Sequence, residues 1–202
     1  DDLTAKLTKD IDWLSGAPVV YCAEGKSAAA KTPAADAPVA WPSLLELKKN
    51  VTLNGNNKTI SGLYFNDSSK DNVGLFGCIG KNSLATGTVK NVTLADSYVR
   101  GNEFVGGICG SNKVGTLQDC HNTGTVSGTT NVGGVCGKND SGTVDGCYNS
   151  GTVSAGFYVG GVCGLINNGS TLKNSYNTGK VSCTNDHVGG VCGWNDASTV
   201  QG

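Results

Sequence analysis

The sequence predicts an all-β protein, a right-handed parallel β-helix (β-solenoid) with about 27 residues per rung. Three observations carry that expectation. The phrase VGGVCG stands at 132–137, 159–164 and 188–193, and VGGICG at 105–110. The intervals between these phrases are 27, 27 and 29 residues, a period proper to stacked supersecondary units. Within each unit no 3.6-residue apolar period runs, and short β-branched stretches alternate with Asn-Gly, Ser-Gly and Thr-Gly punctuation, so the units read as brief strands and tight turns. At about 3.3 Å per strand residue such a unit closes a loop with two or three short sides, and loops of this kind stack about 4.8 Å apart. The right hand follows from the handedness of crossovers between parallel strands.

Taken in chain order, LTAKLTKDIDWL (3–14) and VTLNGNNKTISGLYF (51–65) read as strands of opening rungs. Ser15 to Pro42 holds all four prolines and is rich in alanine, which predicts an irregular loop occupying about 15–50. Only four of the 31 glycines precede residue 73, so the chain divides into opening rungs at 1–72 and regular rungs at 73–202 of one continuous domain. Residues 73–104 make an irregular rung of 32 residues with Val89, Val92 and Val99 facing inward. The two extra residues of the unit at 159–187 fall one on each side of SYNTGKV, in polar turns where a solenoid tolerates insertion. The chain opens on Asp-Asp and stops partway through a unit, which predicts a piece of a longer protein.

Aligning the units predicts which side chains stack. Val126, Val153 and Val181 form one apolar column, and Leu117, Val144 and Leu172 another, each buried aliphatic contributing about 1.5–3 kcal/mol. Asn122, Asn149 and Asn177 form an asparagine column, able to bond amide to amide up the stack. His121, Tyr148 and Tyr176 form a ring column beside it. Cys109, Cys136, Cys163 and Cys192 form a fourth column. Lys113 aligns with Asp140 and Asp145 with Lys173, so like charges do not stack. Of Val135 and Cys136, only one is expected to face the core of a regular strand.

The chemistry carried by these residues is sparse. A net charge of −1 and a single arginine, Arg100, speak against nucleic acid and anionic membranes, and no run is long enough to span a bilayer. The nine cysteines contain no C-x(2–4)-C pair, so no metal or cofactor is expected. Stacked cysteines about 5 Å apart admit a disulfide, and buried free thiols serve equally as small apolar fillers, so both states stand open. Cysteine catalysis needs a histidine in reach; His121 points away from Cys120, and His187 reads as a solvated turn residue. No two carboxylates align in neighbouring regular rungs, so no catalytic residue is expected. Rings such as Trp194, Phe157 and Tyr158 on a polar exterior offer places for carbohydrate to lie.

Val132 to Gly137, Asn139, Gly142 to Val144 and Cys147 to Val153, with their counterparts in neighbouring units, resemble the repeats of the GLUG family. LTKDID (7–12), LNGNNKTISGLYF (53–65), DNVGLFG (71–77) and GTVKNVTL (87–94) are similar to the segment that often precedes such repeats. The departure is the cysteine where relatives place valine. The resemblance implies a β-solenoid in a secreted or surface-attached bacterial protein, in some members adhesin-like and in others the non-catalytic forepart of an immunoglobulin-A-cleaving peptidase. Two functions follow as expectations. One is a structural or adhesive module that spaces other domains of its polypeptide and binds host glycans or proteins. The other is the non-catalytic region of a larger secreted enzyme.

Overall fold

Residues 3–6, 11–12, 21–22, 26–27, 45–47, 51–80 and 86–202 are described by the structure, a computed structural model. In the repeats every strand pairs in parallel with its equivalent one unit away, which makes the chain a β-solenoid. The expected two or three sides per rung are in fact four, built from five short strands. Side I holds Glu103–Gly106, Thr130–Gly133, Phe157–Gly160 and Val188–Gly189. Side II holds Leu45–Leu47, Phe76–Ile79, Cys109–Asn112, Cys136–Asp140, Cys163–Asn167 and Cys192–Asn195.

Side III has two arms in each regular rung, Thr116–Gln118 with His121–Asn122, Thr143–Asp145 with Tyr148–Asn149, and Thr171–Lys173 with Tyr176–Asn177. Lower in the stack both arms merge into the long strands Gly87–Ala95 and Val51–Ser61. The bend between the arms falls on left-handed backbone at Asp119, Gly146 and Asn174, with φ of 50°, 63° and 50°. Asp, Gly and Asn are the residue types that adopt this conformation at least cost. Side IV holds Tyr64–Asn66, Tyr98–Arg100, Thr125–Ser127, Val153–Ala155 and Val181–Cys183.

Leu3–Lys6 and Ile11–Asp12 both lie parallel to Val51–Ser61, so the first strands of the chain belong to the stack. Within the stretch read as an irregular loop, Tyr21–Cys22 and Lys26–Ser27 pair antiparallel, while Leu45–Leu47 joins side II against Phe76–Ile79. The rest of that loop lies outside the described residues. Residues 81–85 also lie outside them.

The core runs as a continuous cylinder, with Val89, Val105, Ile108, Leu117, Val132, Val144, Val159 and Leu172 all buried. The inserted residues fall where the sequence placed them. The pairing offset is 27 at Cys136–Cys163 and 28 at Thr143–Thr171, from the second unit to the third, and 29 at Val159–Val188, from the third unit to the fourth.

Candidate functional site: internal ladders and an outer ring cluster

Four kinds of column line the solenoid. Val126 pairs with Val153 and Val153 with Val181, over Val99 and Phe65 from the opening rungs. Val126 and Val153 are fully buried and Val181 packs partly buried against them.

The asparagine column bonds along its whole length. Asn122 Nδ2 donates to Asn149 Oδ1 at 2.8 Å, and Asn149 Nδ2 donates to Asn177 Oδ1 at 2.8 Å. Each amide also closes its own corner: Asn149 Nδ2 donates to the Gly151 carbonyl at 2.9 Å, and Gly151 N donates back to Asn149 Oδ1 at 3.3 Å. Asn122 and Asn177 repeat the arrangement around Gly124 and Gly179. The ladder is therefore a turn device and a cross-rung tie at once.

A second asparagine column went unrecognised in the sequence. Asn112 and Asn139 are fully buried on side II, joined by a 2.8 Å bond, and each clasps a glycine three residues on, Gly115 or Gly142. The next rung breaks it with Ile166, where the extra turn residue lengthens the loop to Thr171. The readable signal was Asn three residues before Gly or Ser at 112, 139 and 195; the isoleucine interrupted it.

The cysteines also stack, Cys109 against Cys136, Cys136 against Cys163 and Cys163 against Cys192, over Phe76. All four are free thiols, as are Cys120, Cys147 and Cys183. A second pair, Cys120 and Cys147, stacks inward on side III, with Cys120 N donating to the Cys147 sulfur at 3.4 Å and Cys147 N donating to Ser175 Oγ at 3.1 Å. Burial pushes the Cys109 and Cys147 thiols well up, and Cys192 up to about 11, so these sulfurs are held as neutral thiols rather than as nucleophilic thiolates. Val135 and Cys136 are both fully buried, against the expectation that only one would be. Val135 sits in the bend between sides I and II, where the alternation of a strand is reset.

On the outside, His121, Tyr148 and Tyr176 stack with ring centroids 3.5 and 4.8 Å apart, and the His121 imidazole meets Ser150 Oγ at 3.1 Å. Lys173 pairs with Asp145 at 3.3 Å as its alignment predicts. Asp140 instead takes Lys138 from its own strand at 3.0 Å, because both point outward two residues apart.

Further round, Tyr158, His187 and Trp194 form a cluster. Tyr158 lies 5.0 Å from His187 and 5.4 Å from Trp194, and His187 and Trp194 meet edge-on at 4.4 Å. Phe157 adjoins at 6.3 Å from Tyr158. His187, expected to be a solvated turn residue, is exposed but engaged with two rings. Among the described residues no three His, Cys, Asp or Glu side chains converge as a metal group would need.

The profile of the GLUG motif matches residues 128–154, one full rung. Halomucin from Haloquadratum walsbyi is 40% identical over 77 residues, a stretch that is 38% of this chain and 1% of halomucin. A solved structure of a candidate immunoglobulin A1 protease from Bacteroides ovatus superposes with a TM-score of 0.63 over 99% of this chain and 69% of that one, at 19% identity. At that identity the likeness is one of fold. The chain carries the GLUG motif, set in a parallel β-solenoid whose rungs are the sequence repeats.

Proposed function

We propose that the chain is a non-catalytic structural module of a prokaryotic secreted or surface protein, spacing or presenting neighbouring domains and adhering to glycan or protein. The observation that carries this reading is the set of valine, cysteine and Asn122–Asn149–Asn177 columns that run from rung to rung. Load applied along the stack is shared among ladder hydrogen bonds on four sides, the buried asparagine ties and a continuous apolar core. The GLUG motif and the likeness to halomucin support an extracellular setting, with sources in both a bacterium and an archaeon among the similar proteins.

Single-molecule extension between the two ends tests the spacer role. Unfolding is expected in discrete steps that are multiples of one rung, each releasing about 90–100 Å of chain. Featureless unravelling at low force would remove the reading.

A second reading, the non-catalytic part of a larger peptidase, draws on the fold shared with the Bacteroides ovatus protein across 99% of this chain. Incubating the chain with immunoglobulin A1 is expected to leave it intact. Cleavage that tracks the purified chain would overturn both non-catalytic readings.

A further inference from the structure

The corner that opens side I is left-handed in each regular rung, at Phe104, Asn131, Tyr158 and His187, with φ of 56°, 54°, 53° and 68°. Asparagine and histidine suit that backbone; the bulkier Phe104 and Tyr158 there cost about 1–2 kcal/mol each. Yet three of the four corners carry a ring, and the two at Tyr158 and His187 meet Trp194 from the neighbouring strand of side II. Strain held at a half-buried ring such as Tyr158 points to a role beyond the fold.

We propose that Tyr158, His187 and Trp194, flanked by Phe157, form a shelf on which a neutral pyranose chain stacks. This rests on the adhesive part of the proposed function and gives it a place and a ligand class. Phe157 and Trp194 remain 39% and 37% exposed. The rings of Tyr158 and Trp194 cross at 80°, and those of His187 and Trp194 at 64°, so neither pair is stacked face to face. An open aromatic face receives the C–H side of a sugar ring, and Tyr158 and His187, at the corners of neighbouring rungs about 4.8 Å apart, offer two adjacent positions.

Charge selects the class of sugar. Asp186 and Asp196, exposed carboxylates, stand one residue before His187 and two residues after Trp194, while Lys138, two rungs from Trp194 in the same column, is paired with Asp140 and lies over the Phe104 ring. An acidic glycan would meet uncompensated negative charge; a neutral one finds hydroxyl acceptors.

Titration calorimetry of the chain with cello-, chito- and manno-oligosaccharides, and with polygalacturonate as the acidic probe, tests the site. Saturable heat is expected with a neutral oligomer and not with polygalacturonate. Tyr158→Asn is the decisive variant, because asparagine fits the left-handed corner. It is expected to weaken binding by roughly tenfold or more while the melting temperature holds or rises. Trp194→Ala, at a position with ordinary backbone, is expected to weaken binding similarly. The proposal is overturned if no neutral oligomer binds, if polygalacturonate binds as well as the neutral probes, or if Tyr158→Asn binds like wild type. A fall in melting temperature for Tyr158→Asn would likewise overturn it, showing the ring to be a packing element. Equal binding by variant and wild type would leave the adhesive module standing and remove only this site, and the extension experiment judges the spacer role independently of either.

Discussion

Single side chains in this molecule are judged by what lies above and below them. Asn149 sits between two asparagines and serves four hydrogen bonds, whereas Asn122 rests on Leu94 and Asn177 is only half-buried. Asn149→Leu strands the Gly151 backbone and both neighbouring amides. At about 1–3 kcal/mol for each buried group left unpaired, the loss should reach roughly 3–5 kcal/mol. Chemical denaturation of the three leucine variants is expected to rank Asn149 as the most costly, and equal costs would mean that the ladder bonds contribute nothing beyond the corners.

His121 supplies a pH dependence. Partial burial in the ring stack holds its imidazole pKa below the usual 6.5. The folded state therefore binds fewer protons than the unfolded one as pH falls below about 6.5, so its contribution is complete above that value and declines below it. Replacing His121 by Tyr continues the Tyr148 and Tyr176 stack without a titrating ring. The variant should lose that part of the acid destabilisation, read from melting temperatures between about pH 7 and pH 5.

In the regular rungs the strands are too short to be read singly, and that decided what was legible. Elements of two to five residues show no sustained alternation, so the number of sides was misjudged while the columns were placed by matching whole units. Repetition reveals register because identical side chains must meet, as Cys136 meets Cys163 and Tyr148 meets Tyr176. It hides whatever departs from repetition. Ile166 concealed the Asn112–Asn139 ladder, and the ring cluster joins residues on three different strands and turns whose left-handed backbone no side-chain pattern announces. The glycines of the recurring phrase are explained at this scale. A Cβ on Gly133 would run into the carbonyl oxygen of Cys136 and reach 2.6 Å from that of Val162 in the next rung. Gly169, at φ +71°, has open space around it. Gly133→Ala should therefore cost about 3 kcal/mol, at the upper end for overpacking, against roughly 1–2 kcal/mol of backbone strain for Gly169→Ala. Comparable losses in urea melts would mean that side I does not sit as close to side II as the structure has it.

The whole molecule behaves as a stack of nearest neighbours, and the sharpest consequence concerns removing a complete unit. Deleting Val132–Tyr158 joins Asn131 to Val159 and leaves every inward column in register. Cys109 then faces Cys163, Asn122 faces Asn177, Val126 faces Val181 and Leu117 faces Leu172, because each of these already pairs with the same intermediate residue. The ion pairs lost with the unit, Lys138 to Asp140 and Asp145 to Lys173, are partly solvated and contribute little. The buried Asn112–Asn139 bond is lost as well, and Asn112 then faces Ile166 while keeping both of its bonds to Gly115. In a stack whose stability is approximately a sum of unit and interface terms, the shortened chain should fold with the same β-sheet circular dichroism and unfold cooperatively. Its urea m-value should fall roughly in proportion to the surface removed. Deleting only Val132–Asp145 removes side II, the Val132–Gly133 half of side I and the first arm of side III from one rung but keeps the second arm at Tyr148–Asn149 and side IV at Val153–Ala155, so no register satisfies all four sides at once. That shorter deletion is expected to abolish the transition. If the half-unit deletion folds as well as the full one, stacking by rung is not what holds this chain together.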